Sequence, residues 1–154
     1  PNVKLHIAGN SHEGSGSPYE QSVIKDLRET LGENLILHGK VPSIELFKML
    51  DECVAIVAPS TEEMFGNQLI EGLMRGCHGI VTDQTAMAEN VRRFGNGTIV
   101  PQGDTNAIAD AMIKTIKHPP SEHEIFKIRS NIDAYMSFNS IANKHKSLYN
   151  KIKK

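Results

Sequence analysis

An α/β fold with a doubly wound, mainly parallel sheet of five strands is what this sequence predicts, on three observations. Short apolar runs alternate with segments of helical periodicity along the chain. The first two runs end in glycine, as strands that feed tight turns do. The run at residues 54–58 is continuously apolar, the pattern of a strand buried on both faces of a parallel sheet.

Taken in order, residues 5–9 read as a strand closing on Gly9, and residues 14–18 as a small-residue loop. Residues 19–31 read as a helix with Val23, Ile24, Leu27 and Leu31 on one stripe, stopped by Gly32. Residues 35–39 are a second strand. Ser43 is an N-cap for a helix carrying Leu46, Phe47 and Leu50. The third strand, at 54–58, leads through a loop into a helix over residues 68–75. Residues 79–82 and 98–100 are the fourth and fifth strands. Asp104 opens a helix with Ile108, Ala111, Met112 and Ile116 at helical spacing, and Pro119-Pro120 ends it. Two C-terminal helices follow. The last carries Phe138, Ile141, Ala142, His145, Leu148, Tyr149 and Ile152 on one stripe, with Lys144, Lys146, Lys151, Lys153 and Lys154 on its other face. These elements make a Rossmann-like layout with helices on both faces, in which ligands bind beyond the carboxyl ends of the strands.

Composition narrows the function classes. The 154 residues are one domain by length, and a formal net charge of −1 argues against nucleic acid as the main partner. No apolar run approaches the ~18 residues that span a bilayer, and no signal peptide is visible. Cys53 and Cys77 sit in apolar contexts and read as reduced core thiols, which implies a cytoplasmic location. The seven histidines lack metal-ligand spacing, so no metal site is expected.

The loop after the third strand carries the chemistry. It runs Pro59-Ser60-Thr61-Glu62-Glu63-Met64-Phe65-Gly66-Asn67-Gln68 and continues to Glu71 in the helix. Free N–H groups at a helix start bind anions, and a glycine lets a phosphate approach, so the amides of Gly66, Asn67 and Gln68 suit a diphosphate. Carboxylates repel phosphate but accept hydrogen bonds from sugar hydroxyls. Phosphate beside polyol describes a sugar nucleotide.

This segment resembles the signature of family-4-type retaining glycosyltransferases of the GT-B fold, roughly P-S-x-x-E-x-F-G-x-x-x-x-E. The strings LHIAGN, NLILHGKVPSIELFKML, GIVTD with the later Glu89, GNGTIVPQGD and FNSIANKHKSLYNKI match other family segments in the family's order. The resemblance implies that Glu71 binds the donor ribose and that Glu63, the catalytic-site acid, contacts the donor sugar. It also implies that amides around Phe65, Gly66 and Asn67 hold the diphosphate, with Ser60, Met64 and Gln68 in the same loop. Lys40 and Val41 would sit by the base, and Gly9 and Asn10 would line the cleft. The resemblance further implies a UDP- or GDP-linked sugar as donor, a glycan or lipid-linked chain as acceptor, and no cofactor.

Two departures from the family pattern stand out. His78 occupies a position that is usually proline, which reads as structural. The family's opening strand and its Arg/Lys diphosphate clamp have no counterpart before Val3, with Lys4 and Lys40 as candidate substitutes. The expectation is therefore a truncated donor-binding domain without its acceptor domain, inactive alone, with strand order 2-1-3-4-5 or with a second chain supplying a strand. A sugar-nucleotide epimerase, a flavodoxin-like receiver and a flavin carrier are the rival readings. The lysines of the last helix form either a solvated face or a basic surface for peripheral contact with anionic lipid.

Overall fold

A computed structural model describes residues 3–9 and 16–152. The chain packs as two compact units, Pro1–Lys48 and Met49–Lys154.

The first unit holds β1 (Leu5–Ala8), α1 (Pro18–Leu31), a 3-10 turn (Gly32–Asn34), β2 (Leu35–Gly39) and the first part of α2 (Ser43–Glu52). β1 and β2 pair in parallel, Leu5 opposite Leu35, with an irregularity between Ile7 and Ala8. α1 begins with a capping box: Ser17 Oγ accepts from the Glu20 amide, and Glu20 Oε2 accepts from the Ser17 amide at 2.6 Å. Pro18 occupies the first turn, where its missing N–H costs nothing. At the other end Arg28 donates to the carbonyls of Gly32 and Leu35, at 3.1 and 2.7 Å, which ties the helix end to the start of β2. Ile24 is buried, while Val23 on the expected stripe is exposed.

The second unit holds β3 (Ala55–Ala58), α3 (Asn67–Arg75), β4 (His78–Thr82), α4 (Ala86–Phe94), β5 (Gly97–Val100), α5 (Thr105–Lys117), α6 (Glu122–Met136) and α7 (Phe138–Ile152). β3, β4 and β5 form a parallel sheet in that order, Ala58 beside Val81 and Val81 beside Ile99. Alternation along the strands sends side chains to two faces. Ile56, Ala58, Val81 and Ile99 face a core shared with Leu69 and Leu73 of α3, Met87, Val91 and Phe94 of α4, and Ile128 and Ile132 of α6. Ala55, Val57, Ile80 and Val100 face the other way, onto Ala107, Ile108, Ala111 and Met112 of α5. Leu69 and Leu73 are wholly buried, and truncating either to alanine costs about 2–5 kcal/mol. Gly72 makes the close approach of α3 possible, because a Cβ there would lie 2.8 Å from Ile56 Cγ2.

The α/β class, the parallel pairing and the helices on both faces agree with the sequence reading. Three details differ. The strands form a pair and a triplet in place of one five-stranded sheet, since periodicity marks which residues are extended but not which edges join. β3 is the edge of its triplet, so Ala55, Ile56 and Val57 are only half-buried and Val54 is exposed. The segment between β4 and β5 contains a helix, α4, and Glu89 lies on it instead of in a loop.

Candidate functional site

The sequence-predicted site residues fall in both units. In the first, the Gly9 amide donates to the Gly39 carbonyl at 2.9 Å, so Gly9 and Lys40 follow directly on the paired carboxyl ends of β1 and β2. Lys40 is exposed and Val41 half-buried. Asn10 lies outside the described residues. On the same two strands His6 Nδ1 and His38 Nε2 are 3.0 Å apart with their rings stacked.

In the second unit, Ser60, Glu63, Met64, Phe65, Gly66, Asn67, Gln68 and Glu71 are brought together between β3 and the first turns of α3. Gly66 is the N-cap of α3, with φ +77°, a left-handed conformation that favours glycine. Its carbonyl accepts from the amides of Leu69 and Ile70, which starts the helix. A side chain at this position would also collide with Met87, whose Cγ lies 2.2 Å from where a Cβ would stand. The glycine is required twice, by its backbone and by its neighbour.

Glu63 folds back over the helix start. Its Oε1 accepts from the Phe65 amide at 3.2 Å and its Oε2 from Gln68 Nε2 at 3.3 Å. These donors, the Phe65 amide first, hold the carboxyl below the usual carboxylate range. An anion already rests against the amides at the entrance to α3, and here it is the protein's own. Glu71, at the start of the second turn of the helix, is half-buried and has no hydrogen-bond or ion-pair partner among the described residues. Met64 is 93% exposed at the loop tip and Phe65 is 45% exposed.

What fixes this loop is α4, which the sequence reading missed. The Ala86 amide donates to the Glu63 carbonyl at 3.1 Å, and Asn90 Nδ2 donates to the Phe65 carbonyl at 2.8 Å. Met87 is fully buried beneath Gly66, with its Sδ 3.9 Å from Gln68 Nε2. From the end of β4, buried Thr82 donates its hydroxyl to the Ser60 carbonyl, and Thr85 donates to the Thr82 carbonyl at 3.1 Å. Asn90, Met87 and Thr82 are thus site-building residues. The sequence signal was present: Met87, Ala88, Val91 and Phe94 recur at helical spacing and Gly95 follows as a stop.

His78 sits at the opposite, amino end of β4. Its ring nitrogens lie 3.1 Å from Asn96 Oδ1 and 2.9 Å from Thr98 Oγ1, and Asn96 in turn donates to the Cys77 carbonyl at 2.9 Å. No cluster of three or more His, Cys, Asp or Glu able to hold a metal occurs among the described residues.

The family model for glycosyl transferases group 1 matches residues 1–118. The chain belongs to that family. No curated protein matches this glycosyltransferase chain. Among solved structures it is similar to sucrose-phosphate synthase from Thermosynechococcus elongatus, with a TM-score of 0.78 and 24% identity over 97% of this chain. It is also similar to the catalytic domain of starch synthase IV from Arabidopsis thaliana bound to ADP and acarbose, with a TM-score of 0.64 and 16% identity over 89% of this chain. At these identities the likeness carries the fold, which is the Rossmann-like α/β arrangement of GT-B enzymes. The glycosyltransferase chain spans 38% of the first of those chains and 30% of the second.

Proposed function

We propose that this chain is the donor-binding part of a retaining glycosyltransferase that takes its sugar from a UDP- or GDP-linked donor. In this reading the amides of Gly66, Asn67 and Gln68 bind the diphosphate, Glu71 accepts from the ribose hydroxyls, and Glu63 accepts from the donor sugar. The acceptor is a glycan or lipid-linked chain held by another part of the protein, and the whole enzyme works at the cytoplasmic side of the cell.

One observation carries the proposal: a helix start capped by a left-handed glycine, with a carboxylate already resting on the Phe65 amide just before it. The cap leaves N–H groups facing outward along the helix dipole, which favours a phosphate there. When a diphosphate takes that place, Glu63 is displaced from the Phe65 amide and becomes available to sugar hydroxyls. The same exchange explains how an acid and an anion site share one loop without lasting repulsion. A starch synthase with ADP bound is among the similar folds, which is consistent with a nucleotide ligand.

Titrating UDP and GDP while following the amide resonances of Gly66, Asn67 and Glu71 tests this. Saturable shifts at these positions are the expected result. Shifts absent at millimolar nucleotide, or confined to residues far from α3, would overturn the assignment.

A further inference from the structure

β1 and β2 carry a pair of side chains that the donor reading does not use. His6 and His38 face one another across the two strands, both half-buried, with His6 Nδ1 and His38 Nε2 3.0 Å apart. The rings are 16° from parallel and their centroids are 5.2 Å apart. That separation is nearly the N···N distance plus one ring radius on each side, so the two nitrogens aim at each other along the line between the ring centres. The register explains how they meet. His6 pairs with Ile36, and the pairing then passes from Ile7–Leu37 to Ala8–Gly39, which leaves His38 as an extra residue on β2. A bulge of this kind re-aims a side chain. Gly39, at φ +63°, turns the chain directly after it.

Imidazole chemistry limits this contact to certain protonation states. An N–H···N bond needs one nitrogen with a proton and one with a lone pair. With both rings neutral the bond forms, and a single charge strengthens it. With both rings charged there is no acceptor, and two cations face each other at 3.0 Å. The folded pair therefore resists its second proton, whereas each histidine of an unfolded chain takes one at about pH 6.5. The unfolded chain then binds more protons, so this share of stability is present at and above that range and is lost as pH falls below it.

The charged groups on the surrounding elements are engaged elsewhere or exposed. Lys4 and Lys40 are exposed at the two ends of the strand pair. On α1, which packs on β2, Arg28 donates to the Gly32 and Leu35 carbonyls, Lys25 and Glu29 lie 3.9 Å apart in solvent, and Asp26 is exposed. Glu45 and Lys48 of α2 are exposed as well.

We propose that His6 and His38 form an acid-sensitive lock on the carboxyl ends of β1 and β2, closed while at least one imidazole is neutral and open when both carry a charge. The lock acts on the turns at Gly9 and Gly39, which are joined by the bond from the Gly9 amide to the Gly39 carbonyl. It stands apart from the donor reading, since it lies within the first unit and uses none of the residues of the loop before α3.

Hydrogen exchange of the full chain tests it, read as protection of the Gly9 amide and of the amides within β1 and β2 between about pH 7 and about pH 4.5. Protection should fall about tenfold on the acid side, the combined effect of one lost hydrogen bond and two facing charges in a half-exposed setting. His38→Gln should keep the strands paired near neutral pH and remove the acid loss, because an amide oxygen accepts from a charged imidazole as it does from a neutral one. His6→Gln should do the same from the other strand. Long-range proton–nitrogen correlation spectra of the rings should show one protonated and one bare nitrogen at the contact near neutral pH. An acid loss as large in both glutamine variants as in the native chain overturns the proposal. So do spectra in which both facing nitrogens carry protons while the strands stay paired, and these spectra decide alone if a variant does not fold.

Discussion

Asn90 Nδ2 donates a 2.8 Å hydrogen bond to the carbonyl of Phe65, twenty-five residues earlier in the chain. Asn90 is only 6% exposed, so this is a polar group buried for one purpose, to hold the loop that precedes α3. Together with the Ala86 amide on the Glu63 carbonyl, it makes α4 a brace for the site loop. The geometry of Glu63 and Gly66 thus depends on a helix that lies outside the loop.

Asn90→Ala removes the donor and leaves the Phe65 carbonyl without it. The expected cost is about 1–3 kcal/mol, the penalty for an unsatisfied group at a buried site. Urea titration measures it. Hydrogen exchange at Met64 and Phe65 should rise as well, whereas a variant that loses stability with unchanged exchange there would show that the bond serves the core and not the loop.

At Gly66 two penalties separate cleanly. Gly66→Ala forces a side chain into a left-handed backbone, at about 1–2 kcal/mol, and drives it into Met87. Shortening Met87 to alanine relieves the collision but not the backbone strain. A double-mutant cycle by thermal unfolding should therefore show partial rescue: the pair is more stable than the sum of the single losses predicts, yet less stable than Met87→Ala alone. Full additivity would place Met87 away from the glycine.

Cys77 is wholly buried, its thiol donating to the Leu50 carbonyl at 3.3 Å, and burial foremost, with Cys53 next, pushes its pKa up to about 12. Burial, then Glu52, also raises the half-buried Cys53. Alkylation needs the thiolate. At pH 8 iodoacetamide should thus modify Cys53 slowly and Cys77 only when the chain unfolds, its rate rising with urea. Peptide mass spectrometry over time reads both. Equal native rates would contradict the burial of Cys77.

Much of this was legible in the sequence, because the strongest patterns are local. Asp104 as a cap and Pro119-Pro120 as a stop bound α5 within a residue or two, and the stripe of α7 is plain in its spacing. The helix start at Gly66 followed from the Phe-Gly pair. What stayed hidden was tertiary. α4 is nine residues long, begins after Asp83-Gln84-Thr85 without a side-chain cap bond, and carries Glu89, Asn90, Arg92 and Arg93 among its apolar positions. Its stripe of Met87, Ala88, Val91 and Phe94 was too short to stand out between two strands. The role of Asn90 depends on a partner that sequence spacing does not reveal. The fold-back of Glu63 onto the Phe65 amide was likewise invisible, since the residue reads equally well as a free acid.

The position of Glu63 makes the loop sensitive to pH, and the sign can be worked out. Its carboxyl is held below the ordinary range chiefly by the Phe65 amide and then by Gln68. A group whose folded pKa is depressed adds stability that is fully present above its unfolded value, about 4.3, and is lost as pH falls through the folded value. Between neutral pH and about 5 the loop should stay unchanged, because the carboxylate is charged in both states. Below the ordinary glutamate range the Phe65 amide resonance should move as its acceptor is protonated, and the Gln68 side-chain amide should move with it. Glu63→Gln should flatten both titrations while leaving the Asn90 contact to Phe65 intact. It should also change nucleotide affinity in a direction that tells the two roles apart. If the native carboxylate competes with the diphosphate for the helix start, the variant binds free UDP or GDP more tightly but gains less from an attached sugar. If affinity for both falls equally, Glu63 only shapes the loop.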